Sequence, residues 1–129
     1  MRIKHYLGLL LLCLAASGCP FDVHHLSSTP TRFTREVESP KWFALKGEVL
    51  ITEAPCGYSR TLRTETRWEQ CGAIPEGEVY RSRDQVLTVE CSHTYEAYLV
   101  VSDGRLNGFY LPVEKVYVSL PAKMDLPLR

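Results

Sequence analysis

Tyr95-Glu96-Ala97-Tyr98-Leu99-Val100-Val101-Ser102-Asp103-Gly104-Arg105-Leu106-Asn107-Gly108-Phe109-Tyr110-Leu111 is the stretch that decides the fold class. Tyr95, Ala97, Leu99 and Val101 share one parity, while Glu96 and Ser102 fall on the other. A period of two marks a strand with one buried face. Asp103-Gly104 interrupts it, and both residues tolerate the positive φ of a two-residue hairpin turn. Across that turn, Val101 is expected opposite Leu106 and Tyr98 opposite Phe109. Gly108 falls inside the returning strand, where a glycine points to a bulge.

The pattern extends in both directions. Residues 47–52 form a short β-prone run, broken at Pro55-Cys56-Gly57. Residues 58–69 alternate, with Tyr58, Leu62 and Trp68 on one parity and Arg63, Glu65, Arg67 and Glu69 on the other. Cys71-Gly72 and Pro75-Glu76-Gly77 make the next break. Residues 78–91 are strand-like again, and Val113, Val116, Val118 and Leu120 supply a last strand or two after Pro112. No segment has a helical period. An all-β domain over 41–121 is therefore expected, a small antiparallel sandwich or barrel of about five to seven strands. Residues 122–129 read as a polar C-terminal tail. The expected core is Leu45, Val49, Ile51, Leu62, Trp68, Val79, Leu87, Val89, Ala97, Leu99, Val101, Leu111, Val116 and Val118.

Upstream of the strands the chain changes character. Arg2 and Lys4 precede an apolar run dominated by leucine, Tyr6 to Ala16, and the stretch closes on Ala15-Ala16-Ser17-Gly18 before Cys19. A charged start, a short apolar run and a small-residue end describe a secretory signal, 1–18. The run is about half the roughly 20 residues that a spanning helix requires. Residues 19–40 hold Pro20, Pro30 and Pro40 with Ser27-Ser28-Thr29 between, and read as an extended linker. A flexible chain of that length spans roughly 25 Å on average, enough to lift the domain clear of lipid headgroups. His24-His25 lies in this linker, and two adjacent histidines without further ligands make a poor metal site.

Ala16-Ser17-Gly18-Cys19 resembles the lipobox of bacterial lipoproteins, with Ala16 where leucine is more usual. The resemblance implies that Cys19 becomes the acylated (palmitate-bearing) first residue of the mature chain. It implies a domain tethered to the inner or outer membrane of a bacterial envelope and facing the periplasm. More loosely, Gly18-Cys19-Pro20, a short linker and a cysteine-bearing β domain are similar in layout to small immunity lipoproteins of type VI secretion systems. That likeness implies a domain that binds and blocks a periplasm-delivered toxin. The alternative is a structural or assembly lipoprotein of an envelope machine.

Charge and cysteines bound the function further. The full chain has 15 basic and 15 acidic residues, and the expected leader removes Arg2 and Lys4 but no acid. No basic excess points to nucleic acid. In an oxidising compartment Cys56, Cys71 and Cys91 read as disulfide chemistry. If 58–69 is one continuous strand, it holds Cys56 and Cys71 roughly 40 Å apart, beyond the ~7 Å Cα limit of a bridge. Run straight, 78–91 returns Cys91 to Cys56; folded at Ser82-Arg83-Asp84-Gln85, it leaves Cys91 near Cys71. The balance leans to Cys56–Cys91 with Cys71 as a free thiol, and Cys71–Cys91 stays open.

Catalytic chemistry is thinly represented. Cys91-Ser92-His93 has the spacing of a Cys–His pair or half a metal site, and reads more simply as an inward cysteine beside a strand-end histidine. No Gly-x-Ser-x-Gly, His-Glu-x-x-His or phosphate-cradling glycine loop occurs. We therefore expect neither an enzyme nor a cofactor or metal. Binding to a protein partner is better supported, because Tyr98 and Tyr110 fall on the parity opposite Leu99 and Leu111. Exposed tyrosine offers large contact area at low entropy cost.

Overall fold

Among the described residues the chain forms eleven strands, more and shorter than the five to seven expected. The computed structural model describes residues 26–34 and 37–129; the leader, Cys19 and His24-His25 lie outside the described residues. In chain order they are β1 Thr29–Pro30, β2 Trp42–Ala44, β3 Val49–Ile51, β4 Arg60–Leu62, β5 Arg67–Ile74 and β6 Gly77–Ser82. There follow β7 Thr88–Glu90, β8 Thr94–Glu96, β9 Tyr98–Ser102, β10 Arg105–Leu111 and β11 Val116–Asp125. Seven of them make one antiparallel sheet in the order β1-β11-β10-β9-β6-β5-β2, and β3–β4 and β7–β8 are separate two-stranded ribbons. The all-β expectation holds.

The margins of the sheet meet. After β11, Leu126 N–H donates to Gly104 O (3.0 Å), Lys46 N–H to Pro127 O (2.7 Å) and Arg129 N–H to Ala44 O (2.8 Å). Leu45 and Leu128 form a bridge. The residues after β11 thus return to the end of β2 and make a partly closed barrel. Residues 122–129 are not the expected tail. Four of them belong to β11, and Leu126 is buried. Leu126 and Leu128, spaced to share a face, override the prolines around them.

The hairpin around Asp103-Gly104 forms as expected, with φ of 53° and 73°. Leu106 sits opposite Val101, but a bulge at Asn107 shifts the rest by one residue, so Phe109 faces Leu99 and Tyr110 faces Tyr98. Gly108 is required there by close approach. A Cβ on it would lie 2.2 Å from Val118 O and 2.9 Å from Ser119 Cα, both backbone atoms. Gly108→Ala is therefore expected to cost about 2–3 kcal/mol through overpacking, read as a lower urea midpoint at unchanged slope.

Two expected strands are divided. The stretch 58–69 turns at Arg63–Thr66, where Glu65 takes a positive φ of 64° and its N–H donates to Leu45 O (2.8 Å). Leu62 and Trp68 keep one parity because both point inward from different strands, so the alternation conceals the turn. Cys71-Gly72, expected as a break, lies inside β5 at a bulge. The stretch 78–91 folds after Ser82, whose hydroxyl accepts the Asp84 and Gln85 N–H groups at 3.0 and 2.8 Å.

The sheet is buried along its inner face and over part of its outer face. The inner core gathers Trp68, Phe109, Leu45, Ile51, Leu62 and Leu99 with the two ribbons packed on it. All the expected core residues are buried except Val116, which is half-buried. Val79, however, belongs to a second cluster on the outer face, with Ile74, Val100 and Tyr110. A strap covers part of that face. Leu26 packs against the inner core, β1 pairs with β11, Thr31 N–H donates to Lys115 O (3.1 Å) and Thr34 N–H to Ala73 O (2.7 Å). From Leu26 to Thr34 the chain is thus seated on the domain, where the composition had suggested free linker. Phe33 provides the reason: its ring lies 5.1 Å from that of Tyr110 and covers the Cβ position that Gly72 leaves empty.

Candidate functional site

The outer face carries the exposed side chains with the most binding chemistry. Alternation places Trp42 and Ala44 on the side of β2 opposite buried Phe43, with Glu69 and Arg67 as their partners on β5. Arg67 stacks its guanidinium 4.3 Å from the centre of the Trp42 ring, which is 57% exposed. Glu69 pairs across to Arg81 on β6, and its carboxylate accepts from Arg83 at 2.7 Å. That ion pair holds the Glu69 carboxyl below its ordinary range, the Arg83 hydrogen bond being the main cause. Neither Arg67 nor Arg81 has a carboxylate within 4 Å among the described residues. Such planar cations next to aromatic rings are the side chains on which interface energy concentrates.

Between the strap and the sheet lies a cleft of about 600 Å³, lined by Phe33, Thr34, Val37, Pro40, Glu69, Gln70, Cys71 and Arg81. The fold brings the three expected residues Cys71, Tyr98 and Tyr110 together beside it in the outer cluster. Tyr110 does not face water as parity suggested. It is 6% exposed, packed between Phe33 and Tyr98, because the strap turns this face into a second core. Tyr98 stays half-buried. Burial raises the phenols of both above their usual range, with the Glu96 charge adding to the effect at Tyr98 and the Arg81 charge opposing it.

Among the described residues Cys71 is the free cysteine, since Cys56 and Cys91 are joined. Its thiol is pushed up to about 11, chiefly by burial, with Arg81 pulling weakly the other way. The thiolate is the reactive form, so Cys71 should react with iodoacetamide far more slowly than a free thiol at pH 8, and its rate should keep rising with pH up to about 11. The sign for stability follows: the native state holds this proton more tightly than the unfolded chain. The contribution is complete below pH 9 and is lost as pH rises toward 11. Ready alkylation of the native chain at pH 8 would contradict this.

The bridge removes one expected possibility. With its sulfur in the disulfide, Cys91 offers His93 no thiol, and His93 instead stands edge-on to Tyr95 while its carbonyl accepts the Cys91 N–H (2.9 Å). Among the described residues no three His, Cys, Asp or Glu side chains gather as a metal site. Sequence reasoning missed Phe33, Trp42, Arg67 and Arg81. A lone aromatic in a Ser/Thr/Pro stretch was the available signal for Phe33; the others emerge only when β2, β5 and β6 are placed side by side.

No protein-family model, curated protein or solved structure matches this chain.

Proposed function

We propose that this chain is a lipoprotein anchored through Cys19 to a bacterial envelope membrane, with a periplasmic β domain that binds a protein partner. The observation that carries the anchor is the leader ending in Ala16-Ser17-Gly18-Cys19. A Cys56–Cys91 disulfide suits the oxidising compartment to which such a leader would deliver the domain. Partner binding is supported by the exposed Trp42–Arg67 stack and by Arg81 at the cleft, set on strands whose inner face is buried. The layout around Gly18-Cys19-Pro20 favours an immunity role, in which the partner is a toxin delivered into the periplasm.

Two measurements test this. Labelled palmitate should be incorporated into the chain and lost in Cys19→Ser; persistent label disproves the anchor. Purified from its own envelope, the chain should bring down a secreted effector in near-equal amount, and Trp42→Ala with Arg81→Ala should release it. Recovery of fixed envelope components alone would sink the immunity reading and point to an assembly role.

A further inference from the structure

The seated strap has a consequence for how the domain meets the membrane. Leu26 is the first described residue, and it packs against the inner core beside Pro55, Val118 and Pro121. If Cys19 carries the lipid, seven residue steps separate the anchor from that fixed point. Fully extended they reach about 25 Å, and as a flexible chain roughly 15 Å. A domain of this size is roughly 35 Å across. Bringing its opposite side to the membrane would require the chain to pass around half the perimeter, roughly 50 Å for that diameter. The seven steps cannot do this. With the strap released up to Pro40, some 14 more residues would be free, and the domain could turn over.

We infer that the docked strap turns the side of the domain around Leu26, where β11 carries Ser119 and Pro121, toward the phospholipid surface and keeps it there. The occupant of this side is therefore lipid headgroups. This rests on the lipidation of Cys19 proposed above. Phe33, Thr34 and the β1–β11 pairing act here as the positioning contacts: they shorten the tether without touching lipid. The rim is suited to a headgroup surface, since Ser27, Pro55, Ser119 and Pro121 are small or uncharged and Glu53 is its one charged lining residue.

The test uses the full lipidated chain in vesicles of phosphatidylethanolamine and phosphatidylglycerol carrying a headgroup-linked acceptor dye. Donor dyes are placed, in a Cys71→Ser background, at Ser119→Cys or at Lys46→Cys. Lys46 lies at the end of the β3 run remote from Glu53, and both sites are exposed. Energy transfer should be at least about twofold stronger from position 119 than from 46, as a tether shorter than the domain requires. Inserting 14 Gly/Ser residues between His25 and Leu26 leaves every packed residue in place and should erase the difference. Equal transfer from both positions in the uninserted chain, or a difference that survives the insertion, overturns the orientation while leaving the anchor intact. A chain that fails to float with the vesicles sinks the anchor instead.

Discussion

Trp68→Ala is expected to destabilise the domain by about 3–5 kcal/mol, a large part of the 5–15 kcal/mol that a domain possesses. Trp68 is fully buried on β5, next to the edge strand β2, opposite Phe43 on β2 and Ser82 on β6. Its indole N–H donates to Thr66 Oγ1 at 3.0 Å, and that buried hydroxyl donates in turn to Arg63 O at 2.7 Å. Truncation therefore does two things. It opens the largest cavity any single side chain here can leave, and it removes a donor from the turn that divides β4 from β5. Trp68→Phe separates them, since it keeps most of the volume and should cost about 1–2 kcal/mol for the lost hydrogen bond and smaller ring. Urea unfolding followed by far-UV circular dichroism decides the matter. A Trp68→Ala loss below about 1 kcal/mol, well under the usual core truncation, would mean that this ring is not central to the core.

How much of this was legible in the sequence follows from what alternation can encode. Parity identified the inner core almost completely, because Leu45, Ile51, Leu62, Leu87 and Leu99 point inward wherever their strands begin and end. It could not show that Arg63–Thr66 is a turn, since an even number of residues separates Leu62 from Trp68 and the parity continues unbroken across it. Nor could it show the bulges at Cys71 and Asn107, each of which shifts the facing by one residue; the one at Asn107 put the expected Tyr98 partner off by one. The outer core was hidden for another reason. Tyr110 is covered by Phe33, a residue of the stretch that composition assigned to the linker, and Val79 packs in the same outer cluster as Tyr110. Of the site, Cys71, Tyr98 and Tyr110 were found as single residues, but the cation–aromatic surface arises only from the order β2-β5-β6.

Breaking the Cys56–Cys91 bridge is expected to cost about 4 kcal/mol in the chain-entropy account for a 35-residue separation. The loss should be uneven. The bridge joins the Pro55–Gly57 turn, at the end of the β3 region, to the residue that follows β7. Neither ribbon shares a strand ladder with the main sheet. They are held to it by inward side chains, and to each other by the Arg60 Nε–H to Thr88 O bond (2.6 Å), while Ala97 N–H to Leu87 O (2.9 Å) extends the β7–β8 pairing. Without the disulfide, β3, β4, β7 and β8 should exchange amide hydrogens much sooner than β9 and β10, whose ladders are intact. A Cys56→Ala/Cys91→Ala double variant, beside Cys71→Ala as control, makes the comparison directly. Uniform acceleration across all strands would show that the barrel opens as one unit, and an unchanged midpoint would show that the bridge adds nothing. The premise that Cys56 and Cys71 stand at opposite ends of one strand fails, yet the favoured pairing forms. Because the chain folds twice, at Arg63–Thr66 and again after Ser82, Cys91 arrives at Cys56 while Cys71 is carried to the other face of the sheet. The same double fold leaves the two ribbons dependent on the bridge, so the domain should be fully stable only where thiols are oxidised.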